Sequence, residues 1–163
     1  MKLLFRQRIF SWLDSYDIYN EKGETLFVVR GQLSWGHCLK IYDAFGEEVG
    51  KVKEKIVTFL PKFELFADGR HLGSVKKNFS LFSPSYSLDF LGWKAKGNIF
   101  EWDYTIRDRK GNRIASISKE LLNFTDAYVL DVATPADALY VSCLSLPWTP
   151  KNAAGTRKKE KRT

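Results

Sequence analysis

The sequence predicts a mainly β protein, a closed antiparallel β-barrel around one central hydrophobic α-helix near the C-terminus. Two observations lead to this fold class. A strand–turn–strand unit recurs four times along the chain, and residues 136–146 are apolar on every side of a helical projection. An aromatic content of 15% also favours strands, because flat rings pack well on a pleated surface.

The repeated unit has the pattern of a β-hairpin. Apolar and polar residues alternate, Asp or Asn follows, Gly comes within three residues, and a second run ends in basic residues. Alternation with a period of two turns one face of a strand inwards. Asp or Asn starts the turn, and Gly supplies the positive φ that a tight reversal needs. The first runs with their turns are 16–23, 39–46, 63–69 and 104–111, and the second runs are 26–30, 49–55, 72–77 and 114–119.

Two further strands are predicted outside the repeat. Residues 86–91 alternate in the same way, and residues 128–132 form a plausible last strand. Between the third and fourth units, Gly92-Trp93 predicts a bulge or bend and Gly97-Asn98 predicts another turn.

The segment that follows residue 132 changes to a helical pattern. Thr134 is a suitable N-cap, Pro135 suits the first helical position, and Asp137 is an acid in the first turn. A helix over 136–146 is apolar all round and must therefore be buried all round. At ~1.5 Å per residue it spans roughly 16 Å, which is too short for a bilayer. A sheet closed around it would bury it and would also remove exposed strand edges.

The net charge of +7 is concentrated at the C-terminus. Residues 151–163 hold six of the 26 basic residues and one of the 19 acidic ones, so the rest of the chain is nearly balanced. We therefore predict a barrel domain over 1–150, with its helix at about 135–146, and a basic disordered tail over 151–163. The tail is either a solubilising end or a weak contact for nucleic acid or an anionic membrane.

Several classes of protein are disfavoured by the sequence. Cys38 and Cys143 are far apart and have no metal-ligand neighbours at the usual spacing, so a reduced thiol pair is expected. The first eight residues have charges where a signal peptide needs its apolar stretch. No segment approaches the ~18 apolar residues of a membrane span. We expect a cytoplasmic protein that is not integral to a membrane.

No catalytic constellation is apparent. His37 lies beside Cys38, but neighbours on an extended strand point to opposite faces. His37 is best interpreted as a surface or half-buried residue of a turn, and His71 as a polar residue after the Gly69 turn. No phosphate-binding loop or dinucleotide fingerprint is present. We predict that the chain is not an enzyme and needs no cofactor.

The basic residues are the candidates for binding chemistry. Lys51, Lys53 and Lys55 alternate with other residues, so all three share one face of a strand. Other basic residues lie at the beginnings or ends of equivalent strands. If the hairpins are aligned, these residues could form a row of positive charges that binds the phosphates of a lipid headgroup or of nucleic acid. The alternative is a solvated outer face, on which lysines only prevent the sheet from pairing with other chains. The candidate anion-binding residues are Lys51, Lys53, Lys55, Lys76, Lys77, Arg113 and Lys119.

Four segments resemble bacterial members of the LURP-one-related family: residues 5–11, 88–93, 104–119 and 137–139. With the repeated hairpins, the resemblance covers roughly residues 3–147. It implies the Tubby C-terminal-like fold, a barrel of about twelve antiparallel strands around a hydrophobic helix, which phospholipid scramblases are also thought to adopt. It further implies binding of phosphoinositide headgroups by Lys and Arg on the barrel surface.

Two functions are compatible with these features of the sequence. The leading hypothesis is a non-catalytic binding or scaffold domain that recognises anionic phospholipid headgroups, located in the cytoplasm and peripheral at the membrane. The alternative is a protein–protein interaction module with no small ligand. A nucleic-acid partner is disfavoured because the charge of the domain without its tail is nearly balanced.

Overall fold

The computed structural model describes residues 1–7, 15–32, 34, 37–55, 57, 59–60, 62–78, 85–98, 103–122 and 125–148. Within them the chain forms twelve antiparallel strands and one α-helix. The strands are β1 (Lys2–Gln7), β2 (Ser15–Asn20), β3 (Thr25–Gln32), β4 (Cys38–Asp43), β5 (Glu48–Lys55), β6 (Lys62–Ala67), β7 (Arg70–Asn78), β8 (Ser85–Phe90), β9 (Lys94–Asn98), β10 (Asp103–Arg107), β11 (Arg113–Leu122) and β12 (Thr125–Val132). The helix α1 (Ala138–Ser145) lies between 3₁₀ turns at Pro135–Asp137 and Leu146–Trp148.

The strands form one sheet in the order β8-β7-β6-β5-β4-β3-β2-β1-β12-β11-β10-β9. The first and last strands of the chain pair with each other, with Leu3 opposite Leu130. The two ends of the order, β8 and β9, are joined by only residues 91–93, so the ends of the sheet lie close together. The result is a nearly closed barrel, which confirms the predicted fold class.

Three of the predicted turns share one hydrogen-bond pattern. Asp43 Oδ1 accepts the backbone N–H groups of Phe45 and Glu47, each at 2.9 Å. The N–H of Gly46, which has a φ of +86°, donates to the carbonyl of Asp43 at 3.1 Å. This is the turn chemistry that the Asp-to-Gly spacing predicts. The same pattern recurs at Asn20 and Asp108.

The fourth turn is tighter. Ala67 pairs directly with Arg70, so only Asp68 and Gly69 form the loop. Both have positive φ, 48° and 71°, as a type I′ hairpin requires. Five short turns lie at one end of the barrel, which we call the turn end. They are residues 20–24, 43–47, 68–69, 91–93 and 108–112.

The helix α1 is enclosed by the barrel. Val141, Cys143 and Leu144 are fully buried together with the inward-facing residues of the strands. Cys143 Sγ lies 3.8 Å from the carbonyl oxygen of Phe66 on β6. The hydroxyl of Tyr104, on β10, donates to Ser145 Oγ at 3.2 Å. Because β6 and β10 are far apart in the strand order, the helix touches two different walls, and the predicted central helix is confirmed.

The ends of the helix differ in detail from the prediction. Thr134 has the extended backbone of an N-cap and Pro135 occupies the first position, but the Thr134 side chain makes no capping hydrogen bond. Pro135–Asp137 forms a 3₁₀ turn, so the α-helix begins at Ala138. No helix in the described ranges is long and apolar enough to cross a bilayer.

The turn predicted at Gly97-Asn98 is wrong, because both residues belong to β9. Gly97 pairs with Tyr104 and has a φ of +132°. A Cβ at Gly97 would lie 2.4 Å from the carbonyl oxygen of Asp103. This glycine therefore permits a close approach of two strands.

Two glycines should respond very differently to alanine. Gly46 has positive φ, and a Cβ added there would meet no atom within 4 Å. G46A should therefore lower the free energy of unfolding by about 1 kcal/mol, through the backbone conformation alone. At Gly73 the Cβ would lie 1.8 Å from the carbonyl oxygen of Asp89, so G73A should force β7 from β8 and cost more than about 3 kcal/mol. Urea unfolding measures both, and equal losses would contradict the observed β7–β8 pairing.

The contact between the helix and the barrel wall can be tested by a double-mutant cycle. A Cβ at Gly50 would lie 3.1 Å from Cys143 Sγ and 3.1 Å from Ile41 Cδ1. G50A should therefore destabilise the fold by about 1–3 kcal/mol through overpacking. C143A removes one of the two contacts, so the double variant should be more stable than the sum of the two losses predicts. Additive losses would place α1 away from β5.

The thiol of Cys143 should be unreactive in the folded protein. Burial raises its pKa from 9.0 to about 12, so the thiolate that attacks thiol reagents is absent at pH 8. Modification at pH 8 should require unfolding. Between pH 9 and 12 the unfolded chain releases this proton and the folded chain retains it, so stability should fall as pH rises. Fast labelling at Cys143 in native conditions would contradict its enclosure.

A lysine cluster on the outer face of β5, β6 and β7

The strands β5, β6 and β7 alternate between core and surface. Val52, Phe63 and Val75 are buried and point into the barrel. The residues between them lie on the outer face. These outer residues include Lys53 and Lys55, both exposed as the sequence predicts.

Three lysines form a row across these strands. Lys55 is the cross-strand partner of Lys62, and Lys62 is the partner of Lys76. Adjacent strands are about 4.8 Å apart, so the row spans roughly 10 Å. Lys53 lies two residues before Lys55 on the same face. We call Lys53, Lys55, Lys62 and Lys76 the lysine cluster.

One carboxylate lies within the lysine cluster. Glu64 Oε1 is 2.8 Å from Lys55 Nζ and 3.9 Å from Lys62 Nζ. The hydrogen bond from Lys55 holds the pKa of Glu64 below its usual value, against a smaller opposing effect of burial. Glu54 alternates to the other face, where its carboxylate accepts the backbone N–H of His37 at 3.3 Å. Among the described residues, Glu64 is the carboxylate paired with lysines of the cluster. Asp89, opposite Ser74 on β8, lies on the same outer face one row away from Lys76.

Lys51 lies outside the cluster, nearer the turn end. Its Nζ is 4.9 Å from the centre of the Phe66 ring, a cation–π contact. Lys51 and Phe66 help to line a shallow open depression of about 50 Å³. This is much smaller than the ~300 Å³ of a typical ligand pocket. A headgroup-sized pocket beside Lys51 is therefore not formed.

The other predicted basic residues are placed apart. Arg113 and Lys119 lie on β11, which is eight places from β7 along the sheet and four places from it past the adjoining ends β8 and β9. The guanidinium of Arg113 donates to Asp131 Oδ2 at 3.0 Å and to Ser116 Oγ at 3.2 Å. Lys119 is exposed. The backbone of Lys77 belongs to β7, but its side chain lies outside the described residues.

Lys62 is the member of the cluster that the sequence prediction missed. The hairpin pattern pairs strands within a unit, such as β6 with β7. Lys62 begins β6, and its partner Lys55 ends the preceding unit. The signal that could have revealed it is the spacing of Lys55 and Lys62 on either side of the uncharged segment 56–61.

The histidines do not assemble a catalytic group in the described part of the chain. His37 is exposed and the adjacent Cys38 is buried. The ring of His71 packs edge-on against Phe66 with centroids 5.1 Å apart. Among the described residues, no three His, Cys, Asp or Glu side chains converge to hold a metal ion. The chemistry that the cluster offers is attraction of phosphate or carboxylate groups to ammonium groups.

Comparison with known proteins identifies the family. The uncharacterized protein YxjI of Bacillus subtilis (strain 168) is 26% identical over 147 residues, which cover 90% of each chain. A solved structure of a protein from Arabidopsis thaliana has a TM-score of 0.59 at 16% identity, and the match covers 89% of this chain and 88% of that one. The family model described as LURP-one-related matches residues 1–146. The resemblance seen in the sequence is confirmed, and this chain belongs to the LURP-one-related family.

Proposed function

We propose that this protein is a non-catalytic binding domain that attaches to anionic phospholipid surfaces through its lysine cluster. The observation that carries the proposal is the row in which Lys62 lies between Lys55 and Lys76. Like charges directly opposite each other on paired strands destabilise a sheet. Two successive lysine pairs therefore weaken the free protein, and an anion bound across them would relieve the repulsion.

The shape of the surface favours a bilayer over a single soluble ligand. The cluster lies on the convex outer face of the barrel, and the depression beside Lys51 is too small for a headgroup. A convex row of flexible ammonium groups can contact several phosphates of a membrane at once. Each Lys near an anionic membrane contributes about 1 kcal/mol, so four lysines make weak, salt-sensitive attachment. The protein would then be peripheral at a membrane surface.

Neutralising the cluster should weaken binding to anionic vesicles. The test variant is K53Q/K62Q/K76Q, which keeps Lys55 for its ion pair with Glu64. The free energy of binding to anionic vesicles should be weaker by about 3 kcal/mol in this variant. This corresponds to a roughly hundredfold smaller partition constant at low salt. Co-sedimentation with phosphatidylcholine vesicles, with and without phosphatidylserine, measures the partition.

The matched control is K2Q/K22Q/K110Q. It removes the same net charge from three exposed lysines at or near the turn end. This control should bind nearly as well as the unaltered chain if the cluster is the site. Equal weakening of both variants would mean that only net charge matters. Failure of the unaltered chain to prefer phosphatidylserine at low salt would end the proposal.

A further inference from the structure

Two large hydrophobic side chains project from the loop between β5 and β6. Val57 is 100% exposed and Phe59 is 96% exposed. Single exposed apolar residues are common, but two almost completely exposed ones in one short connection are unusual. Leaving a phenylalanine and a valine in water forgoes the stabilisation that their burial would provide.

The position of this loop connects it to the lysine cluster. Lys55 ends β5, Lys62 begins β6, and the two are cross-strand partners, so they form the base of the loop. The segment 56–61 between them contains no charged residue. Lys53 and Lys76 lie beside this base on the same outer face. An apolar tip is thus surrounded at its base by positive charge.

The opposite end of β5 provides a contrast. Phe45, in the turn between β4 and β5, is 92% exposed. It is surrounded by carboxylates, since Asp43, Glu47 and Glu48 all lie within three residues of it. Glu48 Oε2 lies 2.6 Å from Lys40 Nζ and is neutralised by that ion pair. The carboxylates of Asp43 and Glu47 keep this turn acidic. An anionic surface would repel the acidic turn that holds Phe45 and attract the loop at Val57 and Phe59.

We infer that Val57 and Phe59 are a membrane-inserting tip, which enters the interface of an anionic bilayer while the lysine cluster contacts the headgroups. This inference rests on the proposed function and adds to it an orientation and a second source of affinity. The end of the barrel opposite the turn end faces the membrane. The turn end, with Phe45, faces away.

The two contributions act over different distances. Attraction between the lysines and the surface operates across about 8 Å at physiological salt and brings the loop to the membrane. Apolar side chains at an interface are buried by about 5–10 Å, and this contribution is much less sensitive to salt. The unaltered protein should therefore retain part of its binding to anionic vesicles at high salt, and a chain without the tip should lose that part.

The test compares the tip variant V57S/F59S with the control F45S. Both remove exposed apolar side chains, and the folds of both should be unaffected because the substituted groups pack against little. With vesicles that contain phosphatidylserine, the tip variant should bind about tenfold more weakly and F45S within about twofold of the unaltered chain. The tenfold ratio should persist at high salt, where the binding of both chains is weaker.

A solvent-sensitive label reports insertion directly. F59C and F45C each add one exposed thiol, and both native cysteines are buried. A nitrobenzoxadiazole label at position 59 should shift its emission to the blue when anionic vesicles are added, and the label at 45 should not. A response at 45 but not at 59 would reverse the orientation and overturn the inference.

The outcomes separate this inference from the proposed function. If binding depends on phosphatidylserine but V57S/F59S binds normally and the label at 59 is silent, the cluster binds without insertion and only the inference fails. If the unaltered chain does not bind anionic vesicles, both fail. If the label at 59 shifts with protein concentration in the absence of vesicles, the tip is a contact between copies of this chain, and the inference is overturned.

Discussion

The enclosure of α1 is the constraint on which the rest of the structure depends. Val141, Cys143 and Leu144 are completely shielded from water. The helix must be covered on all sides, and a single sheet that curls round it satisfies this requirement. The buried hydroxyl of Ser145 is hydrogen-bonded, since its Oγ accepts from Tyr104 and donates to the carbonyl of Val141 at 2.9 Å. Burial raises the pKa of Tyr104 strongly, so its hydroxyl remains a donor.

The pairing of β1 with β12 joins the first and last strands of the chain within the sheet. The N-terminal amine of Met1 donates to the carbonyl of Val132 at 3.0 Å, and the N–H of Val132 donates back to the carbonyl of Met1 at 2.8 Å. The helix α1 comes soon after β12 in the chain, so pairing of β12 with β1 also positions α1 in the core. Because β1 and β12 are farther apart in the chain than any other paired strands, their pairing has the largest loss of chain entropy on loop closure. The favourable free energy of burying α1 offsets that loss.

The lysine cluster depends on strand register as well as on composition. A slip of one residue between β5 and β6 would move Lys55 away from Lys62 and turn buried residues outwards. Alternation within β5 was sufficient to predict that Lys51, Lys53 and Lys55 share a face. It did not predict that Lys51 would stand apart over Phe66, or that Arg113 would lie across the barrel beside Asp131. Those placements depend on strand pairing outside the predicted hairpin units, of β5 with β6 and of β11 with β12.

The sequence by itself determined the local structure: the Asp-to-Gly turns, the alternating strands, and a helix too apolar to face water. These depend on neighbours within a few residues, so their chemistry can be read directly. Only the tertiary structure decided which hairpins adjoin and which side chains meet. It placed Lys62 between Lys55 and Lys76 and left Val57 and Phe59 exposed. The physical reason is that the register between neighbouring hairpins and the burial of each side chain depend on how the whole sheet packs around the helix, which the pattern within one hairpin does not encode.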